Sequence, residues 1–191
     1  MKLLLTLLLL PTLAFAAGGV DVPKQDWPFQ TAKSWDKDKL YRGYTVATQV
    51  CMACHSFKYI NHRQLMNVGF TEAEVRKLAE DLDLTPNDKL ISGLDDATAQ
   101  ELYGKASPDL SLMNKARAGL ADYTYAVLVG YSEDEAKIAE YFPEGVPQGA
   151  YFNKYYPGHA IAMPNPLVAE GLVDYHDGTE ATIEQMAKDV T

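Results

Sequence analysis

The chain has 191 residues, a formal net charge of −9 and a hydrophobic share of 47%. That is enough for one domain with a real core. The acidic balance disfavours nucleic acid as a partner, and past the first 16 residues no run of 18 apolar residues predicts a membrane span.

Residues 1–16 read as a secretory signal. Lys2 supplies the positive start, Leu3 to Leu10 the apolar stretch, and Ala14-Phe15-Ala16 a small-residue cleavage site. The stretch is short and Pro11 interrupts it, which argues against a retained anchor. The expectation is an exported chain with a mature domain over 17–191. A lead-in with prolines and tryptophans, Val20 to Trp35, precedes a helix from about Asp36, in which Leu40, Tyr44, Ala47 and Cys51 share a face.

That helix runs into Cys51-Met52-Ala53-Cys54-His55, which holds both cysteines of the chain. On one helical turn two thiols at this spacing face the same way and can add to the two vinyl groups of one porphyrin. The next residue, His55, then offers an imidazole nitrogen to the iron. The pattern is the attachment signature of a c-type haem. Three other readings compete. A disulfide here would close too small a loop to stabilise much. A thiol–disulfide exchange site usually follows a buried strand, whereas an amphipathic helix precedes this one. Zinc needs further cysteines or a well-spaced histidine pair, and only His62, His159 and His176 remain. Haem attachment to such a motif takes place outside the cytoplasm in bacteria, so motif and signal support each other.

Further along, Thr71-Glu72-Ala73-Glu74 is a capping box ahead of Val75, Leu78, Ala79 and Leu82, with Pro86 closing that helix. Asp95 or Asp96 caps a helix reaching Tyr103, and Gly104 to Asp109 is a loop. Ser111 to Ala118 and Asp122 to Gly130 read as two helices parted by Gly119. Ser132-Glu133-Asp134-Glu135 forms a second capping box for a helix to about Phe142. Pro143 to Leu167 is rich in Gly, Pro and aromatics and largely irregular. A turn at Asp177-Gly178, with a small hairpin from Val173, leads to a last helix capped by Thr179, where Glu184 is placed to pair with Lys188. Acidic residues gather in Glu72–Asp88, Asp95–Glu101 and Glu133–Glu144, read first as solvated surface. The fold class is mainly α with long loops, in which a porphyrin supplies part of the core.

The second axial position decides between electron transfer and chemistry at the iron. The candidates are Met66, Met113, Met163, Met186, His62, His159 and His176. Met113 and Met186 fall on apolar helix faces, where methionine is usually core filler. Met66 and His62 follow the motif too closely to pass over the ring edge. Met163 lies in Ala162-Met163-Pro164-Asn165-Pro166, where two prolines stiffen the chain beside a weak thioether ligand. Met163 ranks first and His159 second.

Several segments together resemble one family, cytochrome c1, the haem subunit of ubiquinol–cytochrome c reductase. They are Arg42-Gly43-Tyr44, the haem motif with Ser56, Pro108-Asp109-Leu110-Ser111-Leu112, Lys115-Ala116-Arg117, Ala121-Asp122-Tyr123 and Gly130-Tyr131. Tyr151-Phe152-Asn153, Tyr156-Pro157-Gly158, Ala162-Met163-Pro164, Asp177-Gly178-Thr179 and Gln185 to Val190 complete the set. The departures are Ala118-Gly119-Leu120 and an inserted-looking stretch around Asp134–Tyr141.

The resemblance implies a class I cytochrome c-like haem domain with long loop insertions. One haem c is carried by Cys51 and Cys54 and ligated by His55 and Met163. Arg117 would reach a propionate, which suits a charge-assisted pair, the alternative being an exposed helix-surface arginine. Pro108 and Tyr123 would line the pocket. The implied partners are a Rieske iron–sulfur protein as donor, cytochrome b, and a cytochrome c as acceptor, at the periplasmic face of a bacterial inner membrane. Family members continue into a C-terminal membrane helix where this sequence stops, so the expectation is a domain lacking its anchor.

Two other functions stand beside this relay. A haem enzyme or gas sensor with an open sixth position would bind carbon monoxide in the ferrous state. A free-standing periplasmic carrier would differ only in its partners.

Overall fold

In the computed structural model, which describes residues 20–27 and 35–191, the chain is mainly α, as its patterning predicts. The expected signal segment lies outside the described residues. The helices are α1 (Lys37–Gln49), α2 (Glu72–Glu80), α3 (Asp96–Tyr103), α4 (Met113–Ala116), α5 (Leu120–Val129), α6 (Glu135–Tyr141) and α7 (Ile183–Val190). Two small antiparallel pairs join β1 (Phe57–Asn61) to β2 (Lys89–Leu90) and β3 (Tyr151–Phe152) to β4 (Ala160–Ile161). Among the described residues no helix is long and apolar enough to cross a membrane.

The main core sits where α1, α5 and α7 meet. Val46, Ala121, Tyr125, Met186 and Ala187 are buried there with Trp27, Leu167 and Val173. α1 and α7 cross closely because residue 43 is glycine. A Cβ at that position would run into the Asp189 carbonyl of α7. Beside this crossing the buried Arg42 guanidinium donates to Asp189 (Nε–Oδ2 2.8 Å) and Asp177 (Nη1–Oδ2 2.5 Å), satisfying a charge that would otherwise be costly to bury. The opposite side of α1 feeds a satellite core, where Leu40, Tyr41 and Tyr44 pack on Phe70, Val75 and Leu78.

The N-terminal segment is pinned by one carboxylate. Asp122, in the first turn of α5, accepts from Trp27 Nε1 (2.8 Å), the Gln25 amide (2.9 Å) and Lys24 Nζ (3.1 Å).

Capping works as expected at Thr71 and Asp95, and Asp36, the expected start of the first helix, proves to be its cap. Elsewhere the local expectations shift. The helix expected over 111–118 shrinks to the single turn of α4, because the Ser111 hydroxyl is engaged by the Tyr59 amide of β1 (3.1 Å). α6 is capped by Asp134, whose carboxylate accepts from Ala136 and Lys137, while Ser132 accepts only the Asp134 amide. The last helix is capped by Thr182 and not Thr179. No hairpin forms from Val173, since Asp177 is drawn to Arg42 and accepts the Thr179 amide in a turn. Lys188 lies over the Tyr125 ring (6.0 Å) and makes no ion pair with Glu184. The strands β1 and β2 and a 3₁₀ segment, His62–Val68, carry no pattern that sequence periodicity could register.

Candidate haem cleft

Cys51, Cys54, His55, Pro108, Arg117, Tyr123 and Met163, drawn from positions up to 112 residues apart by sequence numbering, all line one cleft of about 710 Å³. That size is typical of a cofactor site. Phe57, Leu110, Val127, Leu128 and Ile161 add an apolar lining.

The wall bearing the motif grows directly out of α1. The helix ends at Gln49 and a 3₁₀ turn, Cys51–Ala53, takes over, with the amides of Cys54 (3.1 Å) and His55 (2.9 Å) both donating to the Cys51 carbonyl. Burial, chiefly, pushes the Cys51 thiol up to about 11, so it is neutral at pH 7, and the two thiols are not joined to one another.

His55 is buried, and its Nδ1 lies 2.8 Å from the Pro108 carbonyl oxygen. A carbonyl can only accept, so Nδ1 carries the proton and Nε2 keeps the lone pair a metal needs. The loop behind the ring is laced to the motif's downstream chain. The Leu110 amide donates to the Ser56 carbonyl (2.9 Å), and the Lys58 amide to Asp109 Oδ2 (2.7 Å). Pro108, expected only to line the pocket, therefore also holds the imidazole through its backbone.

A separate stretch of wall carries Met163, on the proline-flanked segment after β4. Tyr123 projects from the first turn of α5, and burial raises its pKa, leaving a neutral hydroxyl at the cleft. Arg117 follows α4 in an extended conformation and is exposed, not on a helix surface. Among the described residues the one hydrogen bond its guanidinium makes is to the neighbouring Ala116 carbonyl (3.4 Å), and no carboxylate there neutralises it. An unpaired guanidinium at the cleft suits an anionic group such as a propionate. Lys105, which the sequence did not single out, and Lys115, read there only as part of the Lys115-Ala116-Arg117 segment, line the same cleft.

The competing ligands are mostly elsewhere. His159 Nδ1 is bonded to the Lys154 carbonyl (2.9 Å), its ring lies against Tyr141 (4.3 Å), and it does not line the cleft. His62 is fully buried and bonded to the Tyr44 hydroxyl (2.8 Å). His176 sits beside Asp38 (3.2 Å), Met66 is exposed, and Met186 fills the core as expected. Met113 does line the cleft, contrary to its reading as core filler. It stands five positions after Pro108, in the chain that supports the His55 ring. Among the described residues no three His, Cys, Asp or Glu side chains gather as a metal site, so the zinc alternative has no donor set.

Comparison with known proteins decides the family. Residues 27–191 match the Cytochrome C1 family. The chain is a member of the cytochrome c1 family. It is 37% identical over 201 residues to cytochrome c1 of Rhodospirillum rubrum, covering 91% of this chain and 74% of that protein. It is also 37% identical over 193 residues to a mitochondrial cytochrome c1 haem protein of Arabidopsis thaliana, covering 92% of this chain and 61% of the plant protein. A third relative, the Candida albicans cytochrome b-c1 complex catalytic subunit, is 37% identical over 196 residues, with 92% of this chain and 65% of the relative covered.

Membership brings a covalently attached haem c and haem-based electron transfer. Cys51 and Cys54, the only cysteines in the chain, carry the attachment. The cytochrome c1 resemblance and the mainly α haem domain expected from the sequence both hold. The cleft fits the group on its own chemistry, through an imidazole fixed in the tautomer that leaves Nε2 free and a guanidinium that meets no carboxylate among the described residues.

Proposed function

We propose that this cytochrome c1-family chain is a one-electron relay whose iron is held by His55 Nε2 and the Met163 sulfur. Haem c, when bound, supplies a ferrous/ferric couple. The protein's residues do the rest. The Pro108 carbonyl orients His55 and raises its basicity as a ligand. Pro164 and Pro166 limit the chain's freedom beside Met163. Arg117 receives a propionate, and Tyr123 offers a neutral donor nearby. Held by both His55 and Met163, the iron would serve electron transfer without binding a substrate, which separates a relay from a haem enzyme or gas sensor.

The observation that carries this reading is the shared cleft. A tautomer-fixed histidine next to two thiols and a proline-stiffened methionine on a different loop line one cavity. Met163 is favoured over Met113 because Met113 opens α4, directly after the 108–112 stretch that backs the His55 ring.

The donor is a Rieske iron–sulfur protein and the acceptor a cytochrome c, with cytochrome b as neighbour, in a quinol–cytochrome c reductase at the periplasmic face of a bacterial inner membrane. The similarity to the Candida albicans complex subunit and the Rhodospirillum rubrum protein supports this assignment. A net charge of −9 would speed encounter with a basic acceptor, at rates that fall as salt rises.

Replacing Met163 with alanine in the haem-loaded protein is the direct test. The expected result is loss of the weak methionine-to-ferric-iron absorption band, a lower potential and new carbon monoxide binding to the ferrous form. An unchanged spectrum would transfer the ligand role to Met113.

A further inference from the structure

We propose that Tyr131 is a positioning residue for Met163, its hydroxyl clamping the ligand loop through the Met163 carbonyl. The inference rests on Met163 being the sulfur ligand. The Tyr131 hydroxyl donates to the Met163 carbonyl oxygen at 3.0 Å. Burial raises the pKa of this hydroxyl well above the ordinary tyrosine range, so it stays a neutral donor.

What gives this bond its weight is the poverty of the loop it reaches. Among the described residues, 162–166 receive no other hydrogen bond from elsewhere in the molecule; the remaining one is local, from the Leu167 amide to Asn165 Oδ1 (3.0 Å). Pro164 and Pro166 have no N–H to donate. The prolines stiffen the segment but cannot tie it down, so its attachment falls to a carbonyl.

Tyr131 is itself fixed at its base. Gly130 ends α5, and its carbonyl accepts from the Lys154 amide (2.9 Å), while Tyr131 pairs with Asn153 in an isolated antiparallel bridge. Asn153 is fully buried. Its Nδ2 donates to the Val127 carbonyl of α5 (2.8 Å), and its Oδ1 accepts from the Tyr155 amide (3.1 Å). Only glycine fits at 130, since a Cβ there would lie 2.7 Å from Asn153 Oδ1 and 2.8 Å from the Ala126 carbonyl. A rigid helix end thus presents one phenol to a loop that, between β4 and the buried Leu167, has no other hydrogen bond from afar among the described residues.

A thioether is a weak ligand, so its hold on iron depends on how little the loop gains by leaving. One neutral hydrogen bond shifts such an equilibrium about five-fold. In the haem-loaded full chain, Tyr131→Phe is expected to take up carbon monoxide in the ferrous form about five-fold faster than the parent. Its methionine-to-iron band should weaken and its potential fall. A variant whose band, potential and carbon monoxide uptake match the parent overturns the proposal, and so does one that loses thermal stability alone. Should Tyr131→Phe yield no haem protein, 3-fluorotyrosine at position 131 keeps the shape and strengthens the donor. Ligand uptake should then be slower than in the parent, and an unchanged rate overturns the proposal. An unchanged spectrum in Met163→Ala would instead remove the ligand assignment, an outcome these Tyr131 measurements do not produce.

Discussion

The two walls of the cleft that carry the proposed ligands, His55 and Met163, are built in different ways. The His55 wall is the continuation of a capped helix, closed by a 3₁₀ turn and backed by a carbonyl 53 positions away in sequence. The Met163 wall is an irregular segment whose hydrogen bonds to distant parts of the molecule come down, among the described residues, to one phenol. His55 thus follows directly from an element of the main core, whereas Met163 sits on an irregular segment poor in hydrogen bonds among the described residues. Disturbing the first should cost global stability, whereas disturbing the second should cost ligation while leaving the fold standing.

The largest effect is expected at the root of the His55 wall. Arg42→Met leaves Asp189, whose side chain is 4% exposed, without its cation at the α1–α7 crossing. Breaking a buried pair in this way costs about 3 kcal/mol or more, to be read in urea unfolding. The methionine band of the folded fraction should persist, and its loss would show that the walls are not separable.

Asn153→Ala works from the other side. It removes the side-chain bonds that seat Tyr131, at a cost of about 1–3 kcal/mol. Here the methionine band should weaken before global unfolding begins, and simultaneous loss of both signals would erase the distinction.

Acid provides a graded version of the first experiment. The Thr179 amide, chiefly, and the Arg42 guanidinium hold Asp177 down to about 2. A carboxyl depressed in the folded state contributes stability that is complete above its ordinary value near 4 and is lost as pH falls toward 2. The thermal midpoint should therefore drop across that window. The drop should be smaller in Arg42→Met, and an equal drop would detach Asp177 from the crossing.

The smallest effect is expected at the rim. Arg117 is exposed and holds no element together, so Arg117→Gln should leave stability within about 0.5 kcal/mol of the parent. A modest change in potential would place its charge near a propionate, and none would return it to plain surface.

Legibility in the sequence followed how local each cause is. Asp36, Thr71 and Asp95 cap their helices from adjacent residues, so their signals could be read directly. Ser132 and Thr179 offered equally good local patterns but were claimed by other partners, the Asp134 amide and the Asp177 turn. Gly130-Tyr131 and Tyr151-Phe152-Asn153 could be seen as family pieces, yet nothing in their spacing revealed the seam they form. His159 and Met113 exchanged standing for the same reason, since only folding decides which side chain reaches the cleft.

The sequence by itself determined the cofactor chemistry and marked His55 as the first proposed ligand. Two thiols and an imidazole within five consecutive residues need only a turn to act together. The tertiary structure decided the histidine's tautomer, through the Pro108 carbonyl, and how Met163 is reached and held. Those depend on contacts between segments 53 and 32 positions apart, which no local pattern encodes because the chain must first close around its core.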